Sequence, residues 1–203
     1  MSDMGEQWGF YFDSDKCIGC HACSVSCSQR HDRDPEKDEW RTVKNVETGE
    51  FPNVSSMPIS MSCMHCSDAP CEKVCPCNSI QKREEDGIVV VDRDSCIGCH
   101  YCAWACPYGA PTYDDGGIMS KCNLCLGEGP GGGYEMPPRE EQEGGGSQPA
   151  CVDNCVGGAI EAGPVSELKD KASTKAVEQF EQEPANVIVE ANREENNAFP
   201  YEA

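Results

Sequence analysis

The sequence is poor in what usually builds a folded core. Of its 203 residues, 38% are apolar and 7% aromatic, while Gly numbers 20 and Pro 14. A chain of this composition cannot rely on a large aliphatic interior, so a covalent or metallic framework has to organise it. Long apolar runs are missing too. The longest β-like one, Ile88 to Val91, falls far short of the ~20 residues that cross a bilayer, so no direct membrane span is expected. Basic residues are scarce: 16 Lys and Arg stand against 36 Asp and Glu, a net charge of −20. That balance argues against a nucleic-acid partner, which needs a basic face. It fits a protein working in high salt, a halophilic setting where screening suppresses self-repulsion. The Met1 region has no basic stretch followed by an apolar one, so the disulfide framework of a small secreted protein is not expected. No Ser-His-Asp set, Walker loop or GxGxxG fingerprint is present, so the chain is not expected to be an enzyme on its own.

What the sequence has is cysteine, 17 of them, in four groups. Cys17, Cys20, Cys23 and Cys27 form a C-x2-C-x2-C-x3-C run. Cys63, Cys66, Cys71 and Cys75 are spaced C-x2-C-x4-C-x3-C. Cys96, Cys99, Cys102 and Cys106 repeat the first spacing, and Pro107 follows. Cys122 and Cys125 are separated from Cys151 and Cys155 by a Gly-, Pro- and Glu-rich stretch, residues 127–149, that reads as a flexible surface loop. Cysteines two or three residues apart bridge one another poorly. Zinc sites use Cys pairs, often with His. Tight four-Cys runs are the pattern of cubane clusters, and four complete sets predict four [4Fe-4S] clusters on sixteen cysteines.

The first and third groups share more than spacing. Asp15-Lys16-Cys17-Ile18-Gly19-Cys20-His21 echoes Asp94-Ser95-Cys96-Ile97-Gly98-Cys99-His100, and each follows a β-like stretch, Gly9 to Asp13 and Ile88 to Asp92. This reads as an internal repeat of strand, cluster loop and short helix, with the fourth Cys at the start of the helix. Gly19 and Gly98 permit unusual backbone angles in the loops. In two-cluster ferredoxins the fourth Cys of such a run ligates the other cluster. Spacing leaves the exchange open: groups two and three can pair with one and four outside them, or one with two and three with four. Residues 166–182 read as an exposed polar helix, Asn186 to Glu190 as a strand, and the last dozen residues as disordered.

Other residues near the motifs read as supporting. Cys77 is left over and reads as a small semi-buried side chain rather than a substitute ligand for Cys75. His21, His65 and His100 sit inside cluster loops, but each set already has four Cys, so they read as polar packing. Tyr101, Trp104 and Tyr108 read as shields against solvent. Lys121, beside Cys122, could raise one cluster potential electrostatically.

The chain resembles the iron–sulfur (beta) subunits of anaerobic dimethyl sulfoxide reductase, within the four-cluster ferredoxin-like subunits of molybdopterin oxidoreductases. The likeness covers roughly residues 8–190. Trp8-Gly9-Phe10-Tyr11-Phe12-Asp13, Cys63-Met64-His65-Cys66, Lys73-Val74-Cys75-Pro76 and Val89-Val90-Val91-Asp92 carry it. So do Cys96-Ile97-Gly98-Cys99, Ala105-Cys106-Pro107-Tyr108-Gly109-Ala110-Pro111, Gly163-Pro164-Val165-Ser166-Glu167-Leu168 and Asn186-Val187-Ile188-Val189. The chain departs from the family's pattern in its longer 127–150 loop and in Val156, where Pro usually follows the Cys.

The resemblance implies a loop-rich α+β fold of two ferredoxin-like modules nested in one chain. Residues 5–50 with 112–165 would form one, 51–111 the other, and 166–203 a tail. It implies clusters on Cys17, Cys20, Cys23 and Cys155; on Cys122, Cys125, Cys151 and Cys27; on Cys63, Cys66, Cys71 and Cys106; and on Cys96, Cys99, Cys102 and Cys75. Its implied partners are a quinol-oxidising membrane anchor subunit and a molybdopterin catalytic subunit, which would hold the chain peripheral to the membrane, on a side left open. A soluble polyferredoxin, or the beta subunit of a formate dehydrogenase, polysulfide reductase or tetrathionate reductase, are the alternatives.

Overall fold

The structure, a computed structural model, describes residues 6–126, 148–182 and 185–190. The loop expected at 127–149 lies almost wholly outside these residues, as does the C-terminal stretch read as disordered. The chain opens with β1 (Trp8–Asp13), buried from Gly9 onward because both of its edges are covered. The first cysteine loop leads into α1 (Ala22–His31), which ends on a left-handed Asp32 (φ 49°) with Arg30 in its last turn, a cation at the negative end of the helix dipole. A long hairpin follows, β2 (Thr42–Thr48) against β3 (Ser55–Met61), in register from Thr42↔Met61 to Thr48↔Ser55. Sequence reading gave no element between the first two cysteine groups.

The second group sits around α2 (Pro70–Lys73), a single turn with Pro at its start, where a missing N–H costs nothing. β4 (Ile80–Lys82) and β5 (Val89–Val91) form a short hairpin, and α3 (Tyr101–Ala105) follows the third cysteine loop. β6 (Thr112–Tyr113) and β7 (Met119–Ser120) pair across a turn in which Asp114 Oδ1 accepts the N–H groups of Gly116 and Ile118, each at 2.9 Å. The last cysteines ride on α4 (Ala150–Asp153) and just beyond it.

β8 (Ile160–Pro164) pairs antiparallel with β1. After α5 (Val165–Lys171) and α6 (Thr174–Gln182), β9 (Val187–Glu190) adds to the other edge of β1 in parallel, giving the order β8-β1-β9. A Cβ on Gly9 would lie 2.1 Å from the Asn186 carbonyl oxygen, so only glycine admits this close approach.

The result is a mixed helix-and-sheet, loop-rich chain. The expected repeat is there: β1–loop–α1 and β5–loop–α3 share one form. Two expectations change. The helices begin earlier than the spacing suggests, so Cys23 and Cys102 sit in the first turn, Cys27 lies mid-helix and Cys106 follows the end of α3. The region read as one exposed polar helix is two helices, with Leu168 (2% exposed) and Ala176 packed on Tyr11 and Ile188. Its apolar positions are too few to stand out in so polar a segment. Elsewhere the interior is rich in sulfur: eight buried core residues are cysteines, packed against side chains such as Phe10, Phe12, Ile88, Val89 and Leu124.

Candidate iron–sulfur centres

Each cysteine loop begins with the same backbone device. The residue before the second Cys has positive φ in all four groups: Gly19 at 66°, His65 at 45°, Gly98 at 66° and Leu124 at 59°. In the first and third groups His21 and His100 then follow at 60° and 63° and start the helices without capping side chains. Left-handed positions set beside residues of negative φ curl the chain so that sulfurs and N–H groups face one side. Glycine announces the turn in groups one and three, whereas groups two and four impose it on His65 and Leu124, where the sequence gives no sign of it.

Cysteines of different groups stand near one another in the structure. Burial pushes the Cys17 thiol up, and the like charges that act on it are Cys23, Cys155 and Cys20. The Cys155 sulfur accepts the Ala159 N–H at 3.2 Å. Cys27, deep in α1, is raised by burial and then by Cys122, Cys151 and Cys125. Cys122 is raised by burial to about 12, with Arg41 opposing and Cys151 and Cys63 adding to the rise. The Cys125 sulfur accepts the Ala150 N–H at 3.4 Å and lies 3.2 Å from His31 Nε2. Cys63, Cys66, Cys71 and Cys106 line one pocket with Tyr108 and Lys121. There, burial and like-charge neighbours push Cys66 to about 11 and Cys71 to about 12. Cys75, Cys96, Cys99 and Cys102 line another. Tyr113 approaches Cys102 Sγ at 3.1 Å and stacks on His100 at 3.9 Å between ring centroids.

This donor set fits an iron–sulfur cluster and little else. Many of these thiols are pushed up by burial and by one another, so a ring of thiolates needs a strongly positive group at its centre. Among the described residues, no three His, Cys, Asp or Glu side chains converge closely enough to hold one metal ion. A cubane, with four irons and four sulfides inside the ring, needs thiolates spread around a chamber.

Of the supporting residues, His65 is fully buried and its Nδ1 accepts the Val89 N–H at 3.2 Å, so it is packing as expected. His21 is exposed, and His100 lines the third-group cavity. Lys121 is buried and donates to the backbone oxygens of Val89 and Cys122. Cys77 lies 3.7 Å from Cys75, sulfur to sulfur. Tyr108 does cover a cavity, but Trp104 is 84% exposed and Tyr101 51%, so neither shields a cluster. They sit on the outer face of a five-residue helix whose inner face is taken by Cys102. Sequence reading missed Arg41, Ser60, His31 and Tyr113, which touch or face the cysteines from outside the motifs; no spacing rule marks such residues.

Residues 54–165 match the 4Fe-4S dicluster domain family and residues 8–29 a 4Fe-4S binding domain. The probable anaerobic dimethyl sulfoxide reductase chain YnfG of Escherichia coli is 41% identical over 182 residues, 85% of this chain and 81% of its own. The B subunit of anaerobic dimethyl sulfoxide reductase from the same organism is 40% identical over 177 residues, 83% and 78% of the two proteins. The protein belongs to this family of reductase iron–sulfur subunits. Within it, the likeness to the formate dehydrogenase iron–sulfur subunit of Wolinella succinogenes, 44% identity over 58% of this chain and 60% of that one, is confined to a shorter stretch. The chain is an electron-transfer component of the oxidoreductase kind, and its cofactors are [4Fe-4S] clusters.

Proposed function

We propose that the chain is the wire of a respiratory dimethyl sulfoxide reductase, holding four [4Fe-4S] clusters in a single file between a membrane anchor subunit that oxidises quinol and a molybdopterin catalytic subunit. The observation that carries it is the adjacency of the four cysteine sets. Cys23 faces Cys151, tying the set on Cys17, Cys20, Cys23 and Cys155 to the one on Cys27, Cys122, Cys125 and Cys151. Cys122 faces Cys63, which leads to the set on Cys63, Cys66, Cys71 and Cys106. That set shares a core with Cys75, Cys96 and Cys102, and Cys99 completes the last set. These neighbours favour the exchange of fourth ligands between groups one and four and between groups two and three.

The same neighbours favour two nested modules. α1 packs on α4 and β1 on β8 in the module of residues 5–50 and 112–165, while α2 packs on α3 and β4 on β5 in that of residues 51–111. The β2–β3 hairpin straddles residue 50 and β9 comes from the tail, so the modules share backbone structure. The exposed cysteines are Cys20 and Cys99, one in each terminal set, where an electron can enter and leave. Bound at these sites, a cluster takes up one electron and releases it; the residues keep it dry, fix its spacing and set its potential. No helix among the described residues is long and apolar enough to cross a membrane, so attachment falls to the partner subunit.

The test is purification from the native host under anaerobic conditions. Recovery with a large molybdenum subunit, and transfer of electrons from a quinol to dimethyl sulfoxide by that complex, is the expected result. Recovery of the protein alone would favour a soluble polyferredoxin, and a complex that oxidises formate but leaves dimethyl sulfoxide untouched would move it to the formate dehydrogenase branch.

A further inference from the structure

Arg41 precedes β2 and is 3% exposed. Its guanidinium lies over the Phe10 ring, 4.5 Å from the centroid, with Nη1 donating to Ser60 Oγ at 3.1 Å and Nη2 to Ser62 Oγ at 2.9 Å. A buried guanidinium is costly unless a negative group faces it. Among the described residues no carboxylate forms an ion pair with Arg41. The groups that act on it as counter-charges are sulfurs: Cys151, Cys122, Cys27 and Cys23. Three of these belong to one proposed cluster site and the fourth to its neighbour. Ser60 extends the contact. Its Oγ accepts from Arg41 and lies 3.4 Å from Cys23 Sγ, so its own hydrogen is free to donate to that sulfur.

We propose that Arg41 is a fixed counter-charge shared by the clusters of the first and fourth cysteine groups, holding both at higher reduction potential than they would otherwise have, with Ser60 relaying its hydrogen bond to the Cys23 thiolate. The reasoning is electrostatic. An added electron makes a cluster site one unit more negative, and a buried positive charge beside it favours that state. A hydrogen bond donated to a ligating sulfur acts in the same direction. The sulfurs that act on Arg41 all belong to the first and fourth groups, whereas the Lys82 and Lys121 ammoniums stand near the second group, so the effect of Arg41 should be largest on the first- and fourth-group clusters and much smaller on the other two. The inference rests on the ligand pairing proposed above, and its test separates the two.

The experiment is a redox titration of the iron-loaded full chain, followed by electron paramagnetic resonance. In Arg41→Gln two of the four clusters should become harder to reduce, their reduced-to-oxidised ratio at fixed potential falling about tenfold, which is about 59 mV for one electron. Arg41→Lys, which keeps the charge, should recover most of that. Ser60→Ala should lower the ratio about threefold for the Cys23 cluster alone. Unshifted clusters in Arg41→Gln, an equal shift of all four, or a Lys variant as altered as the Gln variant would overturn the proposal. If Arg41→Gln does not hold its iron, Ser60→Ala decides: wild-type ratios there overturn it. Cys27→Ser marks the fourth-group cluster independently. Two shifted clusters of which neither responds to Cys27→Ser would overturn the pairing and leave the role of Arg41 standing.

Discussion

The β1–loop–α1 unit and the β5–loop–α3 unit carry the same cysteine spacing and the same turn, with Gly19 and Gly98 both at φ 66° and His21 and His100 at 60° and 63°. Their surroundings differ. β1 is the middle strand of a three-stranded sheet and α1 runs ten residues, with Arg41 buried beside its sulfurs. β5 has one partner, α3 is five residues long, and the nearby cations, Lys82 and Lys121, are bonded largely to backbone oxygens. The comparison separates two jobs. The turn that presents three sulfurs is set by a few residues and can be copied within the chain. Burial, length of support and neighbouring charge are set by sequence outside the motif, and there the two units have diverged.

The largest way to break the comparison is to remove the iron. If sulfur-lined sites hold both units together, stripping the clusters under anaerobic conditions should unfold both, because the buried sulfurs lose the iron that joins them. The intact chain should carry about sixteen irons and sixteen sulfides. Circular dichroism before and after chelation checks this; a unit around β1 that stays folded without iron would show that its sheet suffices.

A ligand exchange sharpens it next. Cys27→Ser should alter the cluster on Cys122, Cys125 and Cys151, and Cys106→Ser the one on Cys63, Cys66 and Cys71, each costing up to about four irons or leaving a cluster of changed potential. The other pair of clusters should keep its signals in each case. Iron analysis with paramagnetic resonance reads the outcome, and an effect of Cys27→Ser on the second-group cluster would mean that the units pair differently.

Salt acts on both units with a smaller effect. Four oxidised cubanes on thiolates add about −2 each to the chain's −20. Lowering the salt from molar to about 10 mM should reduce the denaturation midpoint, since repulsion is then screened over tens of ångströms rather than a few. Equal midpoints would speak against adaptation to high salt.

The four cysteine groups were legible because a cubane needs thiolates at tight spacing, whereas which fourth sulfur joins which three was not, because spacing leaves that exchange open. The β1 and β5 strands and the Val187–Glu190 strand were legible from short apolar runs. The β2–β3 hairpin was not: Val43, Val46, Met57 and Ile59 are diluted by polar neighbours, and only one of them is fully buried. The left-handed turns at His65 and Leu124 were hidden because neither residue type signals positive φ as Gly19 and Gly98 do. Arg41, in a segment full of charges, resembles any surface arginine until the fold places it among sulfurs.

The smallest expected effect is at Cys77, and it asks whether the third-group site can be satisfied by a neighbour that the first-group site lacks. Cys77 lines the same cavity as Cys75, its sulfur 3.7 Å away, so distance alone would allow it to compete for iron. The difference lies in what each sulfur accepts. Burial pushes the Cys75 thiol up, but hydrogen bonds with the Ser79 hydroxyl at 3.2 Å, from the Ile80 and Ser79 N–H groups and with Cys77 itself outweigh it and bring it down. Cys155, at the corresponding place in the proposed first-group site, accepts the Ala159 N–H. Donors gathered on a sulfur favour its thiolate, the form that binds iron. Cys77→Ser should therefore leave the iron count and all four cluster signals unchanged, whereas Cys75→Ser should alter the cluster on Cys96, Cys99 and Cys102. Loss of iron from the Cys77 variant, measured beside the Cys75 variant, would show that the two sulfurs share the site.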